Sequence, residues 1–141
     1  DEIATIADHV HEHGMKLHLD GARLANAAAS LELPLRAFTR DVGVDVLSFG
    51  GTKNGVLGAE AIVVLNPAAS EGLKFLRKLN MQLASKMRFL SAPWVGMLQD
   101  GAWLRHAKHT NAMARRLEAA IRHLPAVEIA VKTEFAPLVD R

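Results

Sequence analysis

The chain has 141 residues, half of them hydrophobic and 23% charged, with a formal net charge of +2 and no cysteine. That is the composition of about one globular domain rather than a disordered chain, and the missing thiols exclude disulfides and thiolate metal sites, which fits a reducing cytoplasm. Aromatic residues make up 5% with no tyrosine, and no run of about 18 apolar residues occurs. Neither a nucleic-acid surface of basic groups and stacking rings nor a transmembrane helix is therefore indicated.

In chain order, Asp1 to His13 places Ile3, Ile6, Ala7 and Val10 on one helical face, and Gly14 is a natural stop. Met15 to Leu19 alternates apolar and polar residues and reads as a strand ending at Asp20. Ala22 to Leu33 is rich in alanine and leucine, a helix closed by Pro34. Asp41 to Asp45 is a turn and Val44 to Phe49 a second strand. Gly50 to Gly58 is a loop with four glycines, and Ala59 to Leu65 is a third strand, apolar on both faces and expected to be buried. Glu71 to about Leu90 spaces Leu73, Leu76, Leu79, Leu83 and Met87 by threes and fours, a helix that Pro93 breaks. Gln99 to Leu124 reads as a long helix with Arg105, Lys108, Arg115, Arg116 and Arg122 on its outer side, and Val127 to Val131 as a last strand.

The strand–helix–strand unit implies two parallel strands joined by a right-handed crossover. The glycine-rich hairpin implies an antiparallel third strand. Ligands of open α/β sheets sit at the carboxyl ends of the parallel strands. Asp20 falls at one such end and the corner Ser48 to Lys53 at the other. An acid and an amine are thus expected on one sheet edge.

The corner reads LSFGGTKNG. A phosphate-binding loop is excluded, because that motif needs GxxxxGK[ST] leading into a helix. Two readings of Lys53 remain. It is a surface lysine on a hairpin, or it forms a Schiff base with an aldehyde cofactor. The second needs close backbone approach to a flat ring, which glycine permits, and a nearby acid such as Asp20 to keep a pyridine nitrogen protonated.

The segments HLDGARLANAA (His18 to Ala28) and DVLSFGGTKNG (Asp45 to Gly55) resemble the low-specificity L-threonine aldolases. These are pyridoxal-phosphate enzymes of the aspartate-aminotransferase fold. The likeness continues through LASKMRFLSA (Leu83 to Ala92) and WLRHAKHTNAMARRL (Trp103 to Leu117). By this resemblance Lys53 matches the lysine that binds the cofactor, pyridoxal 5'-phosphate, as an imine. Asp20 matches the aspartate facing the pyridine nitrogen. Arg23 matches an arginine expected near the cofactor's phenolic oxygen and the substrate carboxylate, and Arg88 one near the phosphate end, in a neighbouring subunit's site. Ser48 and Thr52 touch the phosphate or shape the loop. His18 is read as structural. His9, His11 and His13 are read as a solvated helix end, and His106 and His109 as surface residues.

The implied fold class is α/β. Residues 1–98 are expected to form part of a large pyridoxal-phosphate-dependent transferase-like domain, a three-stranded mixed sheet with flanking helices. Residues 99–141 supply a long helix and the start of a small α+β domain. The chain begins inside a helical pattern, and the resemblance puts the family's phosphate turn and ring-stacking histidine before Asp1 and its second carboxylate-binding arginine after Arg141. The chain is therefore expected to be the C-terminal portion of a longer protein, and by itself to bind cofactor poorly and not turn over. For the whole, the resemblance implies a cytoplasmic homodimer or tetramer that cleaves threonine or allo-threonine to glycine and acetaldehyde. The alternatives are another lyase or an aminotransferase of this fold, or a non-catalytic remnant.

Overall fold

A computed structural model describes residues 2–129. Helix α1 (Glu2–Glu12) is followed by strand β1 (His18–Gly21), helix α2 (Leu24–Leu31) and strands β2 (Val46–Gly50) and β3 (Glu60–Val64). Helices α3 (Leu73–Leu79), α4 (Arg88–Leu98) and α5 (Ala102–Ile121) complete it. The strands form one sheet in the order β1-β2-β3. β1 runs parallel to β2 with Asp20 beside Ser48, and β3 runs antiparallel with Ile62 beside Ser48. This is the mixed sheet expected from the crossover and the hairpin.

Strand alternation sorts the side chains onto two faces. Leu19, Leu47, Phe49, Ala61 and Val63 join Leu24 of α2 and Trp94 and Met97 of α4 in the main core. His18, Asp20, Ser48 and Ile62 occupy the other face, and Ile62 is 55% exposed. The expectation that β3 is buried on both faces is therefore corrected. β3 is an edge strand of the described sheet; its Ala61 and Val63 pack against the main core, while Ile62 on the other side stays exposed.

Two further corrections concern helices. The expected helix from Glu71 to Leu90 is two helices. α3 ends in a Schellman turn, with the N–H of Gln82 donating to Arg77 O (2.9 Å), that of Met81 donating to Lys78 O (3.1 Å), and Met81 left-handed at φ 55°. Asn80 Nδ2 also donates to Leu76 O, withdrawing one more carbonyl from helix continuation. Pro93 lies inside α4 rather than ending it. Proline removes the bond to Phe89 O, but Trp94 and Met97 are held on the core, and their burial outweighs that loss. The apolar residues that suggested one long stripe, Leu76, Leu79 and Leu83, are 51%, 76% and 42% exposed, uncovered among the described residues.

Other boundaries shift by a few residues. β1 extends through Gly21, with Met15 to Leu17 irregular before it. The final long helix starts at Ala102 after a short 3-10 turn kinked at Asp100. Its basic residues are exposed as expected. The expected strand Val127 to Val131 is irregular as far as residue 129 and otherwise lies outside the described residues.

α5 returns across α2. Ala25, Ala29 and Ala107 form the contact, and small side chains allow close helix approach. Asn26 Nδ2 donates to Thr110 Oγ1 (2.8 Å) and Asn111 Oδ1 (2.9 Å), and Asn111 Nδ2 donates to Asn26 O (3.0 Å). That fixes the rotation of α5 about its axis, which matters for the site below.

At the opposite sheet edge, Asp45 is 2% exposed. Its carboxylate accepts the Leu17 N–H (2.7 Å), the Asn66 amide and a bond from His11 Nε2 (2.8 Å), with Lys16 Nζ 3.8 Å away. His11 is thus a partner of a buried acid, not a bystander on a solvated helix end. Burial pushes the Asp45 carboxyl up, but the Leu17, His11 and Asn66 hydrogen bonds and the His11 charge together hold it at about 2. A depressed carboxyl stabilises the fold fully above its unfolded value near 3.8, and that contribution is lost as pH falls through about 2. The amount at stake is about 2 kcal/mol. Denaturant midpoints measured from pH 5 down to pH 2 are expected to fall in the native protein and to flatten in Asp45→Asn; parallel curves would show that this carboxylate is not the acid-sensitive group.

Candidate active site

β1 and β2 are parallel, so both carboxyl ends lie on one edge of the sheet. Asp20 ends the polar face of β1. Its Oδ1 accepts the Ala22 N–H at 3.0 Å, an Asx turn that orients the carboxylate while leaving the residue exposed. Arg23 follows as the N-cap residue of α2, exposed, with its carbonyl accepting from Asn26 and Ala27. The motif HLDGAR is therefore a strand end, a turn and a helix start.

Lys53 sits at the neighbouring end, in the middle of a single 3-10 turn, Thr52–Asn54, bracketed by Gly51 and Gly55. Two of the glycines are required by the protein's own packing. A Cβ on Gly50 would lie 2.5 Å from Ala22 O, and one on Gly51 would lie 2.4 Å from Ala59 O and 2.6 Å from the Trp94 ring. Their missing side chains make room for the protein's own β1–α2 turn, hairpin and α4. Gly50 draws the Asp20 and Lys53 ends together; Gly51 lets Trp94 pack beneath the lysine turn. Gly55 has φ 103°, a conformation that favours glycine.

The turn is held from two sides. Glu60, the first residue of β3, accepts the Gly51 N–H at Oε2 (3.0 Å) and the Thr52 N–H at Oε1 (3.2 Å). Burial pushes its carboxyl up, but bonds from the Thr52 hydroxyl and these two N–H groups, with the Lys53 charge, hold it below the ordinary value. From α5, His106 Nδ1 lies 3.0 Å from Asn54 O. The side-chain nitrogen of Asn54 is buried with no hydrogen-bond partner among the described residues.

The remaining expected site residues divide. Ser48 Oγ is bonded to His18 Nε2 at 2.8 Å, beside Asp20 in the register. Thr52 is bonded to Glu60. Both have partners within the site's framework, and the Gly51 and Thr52 N–H groups of this corner already face the Glu60 carboxylate. Arg88 opens α4, exposed, with its guanidinium 4.9 Å over the Phe89 ring. It stands six residues before Trp94, about 9 Å along the helix, and no described contact joins it to the Asp20–Lys53 edge. Glu60 is absent from the sequence expectations, and His106, expected to be only a surface residue, meets the Asn54 carbonyl. A lone carboxylate opening the apolar run Ala61 to Leu65 was a usable signal for Glu60; nothing local marks His106. Among the described residues no group of three or more His, Asp or Glu is placed to hold a metal ion, and no helix is long and apolar enough to cross a membrane.

The sequence pattern of the beta-eliminating lyase family matches residues 1–137. A low specificity L-threonine aldolase of a Pseudomonas species is 48% identical over 134 residues, and that of Pseudomonas aeruginosa is 47% identical. Each alignment covers 95% of this chain but 39% of the relative. The solved structure of a threonine aldolase from Leishmania major superposes with a TM-score of 0.75 at 30% identity, covering 86% of this chain and 35% of that one.

Proposed function

The chain belongs to the beta-eliminating lyase family, and from that premise we propose that it carries the amine and acid of a pyridoxal-phosphate-dependent threonine aldolase. What supports this is the parallel register of β1 and β2, which brings Asp20 and the Lys53 turn to one sheet edge in a chain 48% identical to a protein of that activity. The whole protein would split L-threonine or L-allo-threonine: the Cα–Cβ bond breaks, the β-hydroxyl gives up its proton as acetaldehyde forms, and Cα gains a proton to give glycine.

The donor set fits pyridoxal phosphate at its ring and aldehyde, with an exposed carboxylate and an exposed primary amine on one edge. It fits the phosphate less, because the Gly51 and Thr52 N–H groups of the corner are taken by Glu60. When bound, the cofactor supplies an electron sink. Lys53 would tether it through Nζ. Asp20, oriented by the Ala22 N–H, would hold a proton on the ring nitrogen. Arg23 offers a planar two-point grip to a substrate carboxylate, fixing which bond stands perpendicular to the ring. Arg88 would reach a phosphate only across a subunit boundary. Exposed Phe75, Leu79, Met81 and Phe89 support association into a dimer or tetramer. A division near residue 98, with α5 leading into a second domain, belongs to the same reading.

Product analysis on the intact protein is the test. Glycine and acetaldehyde from threonine are expected. Ammonia and a 2-oxo acid would instead favour an eliminating lyase, the second reading that the family match supports. Asp20→Asn is expected to retain the cofactor and lose about 100-fold or more in kcat; turnover within a fewfold of the native rate would remove Asp20 from the mechanism.

A further inference from the structure

We propose that Glu60 and His106 are positioning residues that fix the aim of the Lys53 amine by gripping its turn at both ends. The proposal rests on the reading of Lys53 above.

The physical need is clear. One isolated helical turn is unstable, since few hydrogen bonds repay its fixed dihedrals. Here the turn also has a glycine on each side, which adds backbone freedom. Lysine adds a flexible four-carbon stem. An amine that must meet an aldehyde in one geometry cannot be aimed from such a base unless something else fixes the base. Glu60 supplies the first point, with one carboxylate oxygen on each of two successive N–H groups at the start of the turn. Charge-assisted pairs of this kind are strong and geometrically specific. His106 supplies the second, at the carbonyl that ends the turn. A carbonyl only accepts, so Nδ1 carries the proton, and it does so in both the neutral and the charged ring. The grip therefore survives protonation of His106. α5 in turn is fixed against α2 by the Asn26–Thr110–Asn111 bonds, and α2 directly follows Asp20 and Arg23. The acid, the arginine and the amine are thus referred to one framework.

The test uses the intact protein with Glu60→Gln, His106→Ala and His106→Asn, whose Nδ2 can stand where Nδ1 stood. In the cofactor-free protein, amide hydrogen exchange at Gly51 and Thr52 is expected to quicken about tenfold in Glu60→Gln. With pyridoxal 5'-phosphate and borohydride, the rate of label fixed on Lys53 is expected to fall about tenfold in Glu60→Gln and His106→Ala and to recover in His106→Asn. kcat should fall in parallel while KM stays within about twofold. Label on Lys53 that neither variant slows, with unchanged amide exchange, overturns the proposal. Absence of label on Lys53 in the native protein overturns the reading beneath it instead. Should Glu60→Gln not fold, the His106→Ala and His106→Asn pair decides, because recovery by a second donor is not expected of a residue that only fills space.

Discussion

Lys53→Ala in the intact protein is expected to abolish covalent attachment of pyridoxal phosphate and to lower kcat by about a thousandfold or more, the scale on which loss of a covalent nucleophile acts. The physical reason is that no other lysine among the described residues shares its position. Lys53 stands at the carboxyl end of β2 on a turn held by β3 and α5, beside the β1 end that carries Asp20. Lys16, near Asp45, belongs to the opposite edge. Because Lys53 is exposed, the substitution should leave folding stability within about 0.5 kcal/mol. Absorbance of the bound cofactor, with mapping of the borohydride-labelled peptide, checks the outcome. A visible band and turnover close to native in Lys53→Ala would make the lysine a surface residue on a hairpin, the bland alternative.

The second large effect lies away from the chemistry. Asp45→Ala is expected to destabilise the fold by about 3 kcal/mol, since removing one partner of a buried polar cluster strands the others. The Leu17 N–H and the Asn66 amide would lose their acceptor, and α1 would lose its His11 tie to the sheet. Against a typical total of about 5–15 kcal/mol, that is enough to lower the denaturant midpoint markedly. Asp45→Asn should cost less, because an amide oxygen still accepts. A midpoint shift corresponding to less than about 1 kcal/mol in Asp45→Ala would show that neighbouring groups or water replace the carboxylate.

How far the sequence leads depends on the range of the interaction concerned. The two motifs HLDGAR and SFGGTKNG were legible because each is contiguous, and the helix between them dictates a parallel crossover. The hairpin was legible because the glycines punctuate two apolar runs. The long helix from Glu71 failed because leucine spacing is insensitive to a local stop. Asn80 and a left-handed Met81 close α3 although the apolar period runs on. Pro93 failed as a breaker because core contacts of Trp94 and Met97 hold α4 together across it.

By itself, then, the sequence determined the order of elements from α1 to β3, the mixed sheet, and the placing of Asp20 and Lys53 on a common edge. Those follow from local periodicity, turn chemistry and the handedness of crossovers. Only the tertiary structure decided what the glycines are for, what holds the lysine turn and where the buried acid lies. The space beside Gly50 and Gly51 is filled by Ala22, Ala59 and Trp94. His106 meets a carbonyl 52 residues away, and His11 a carboxylate 34 residues away. Such pairs leave no trace in spacing, because they are set by how helices pack on a sheet, and packing depends on every residue in the contact at once.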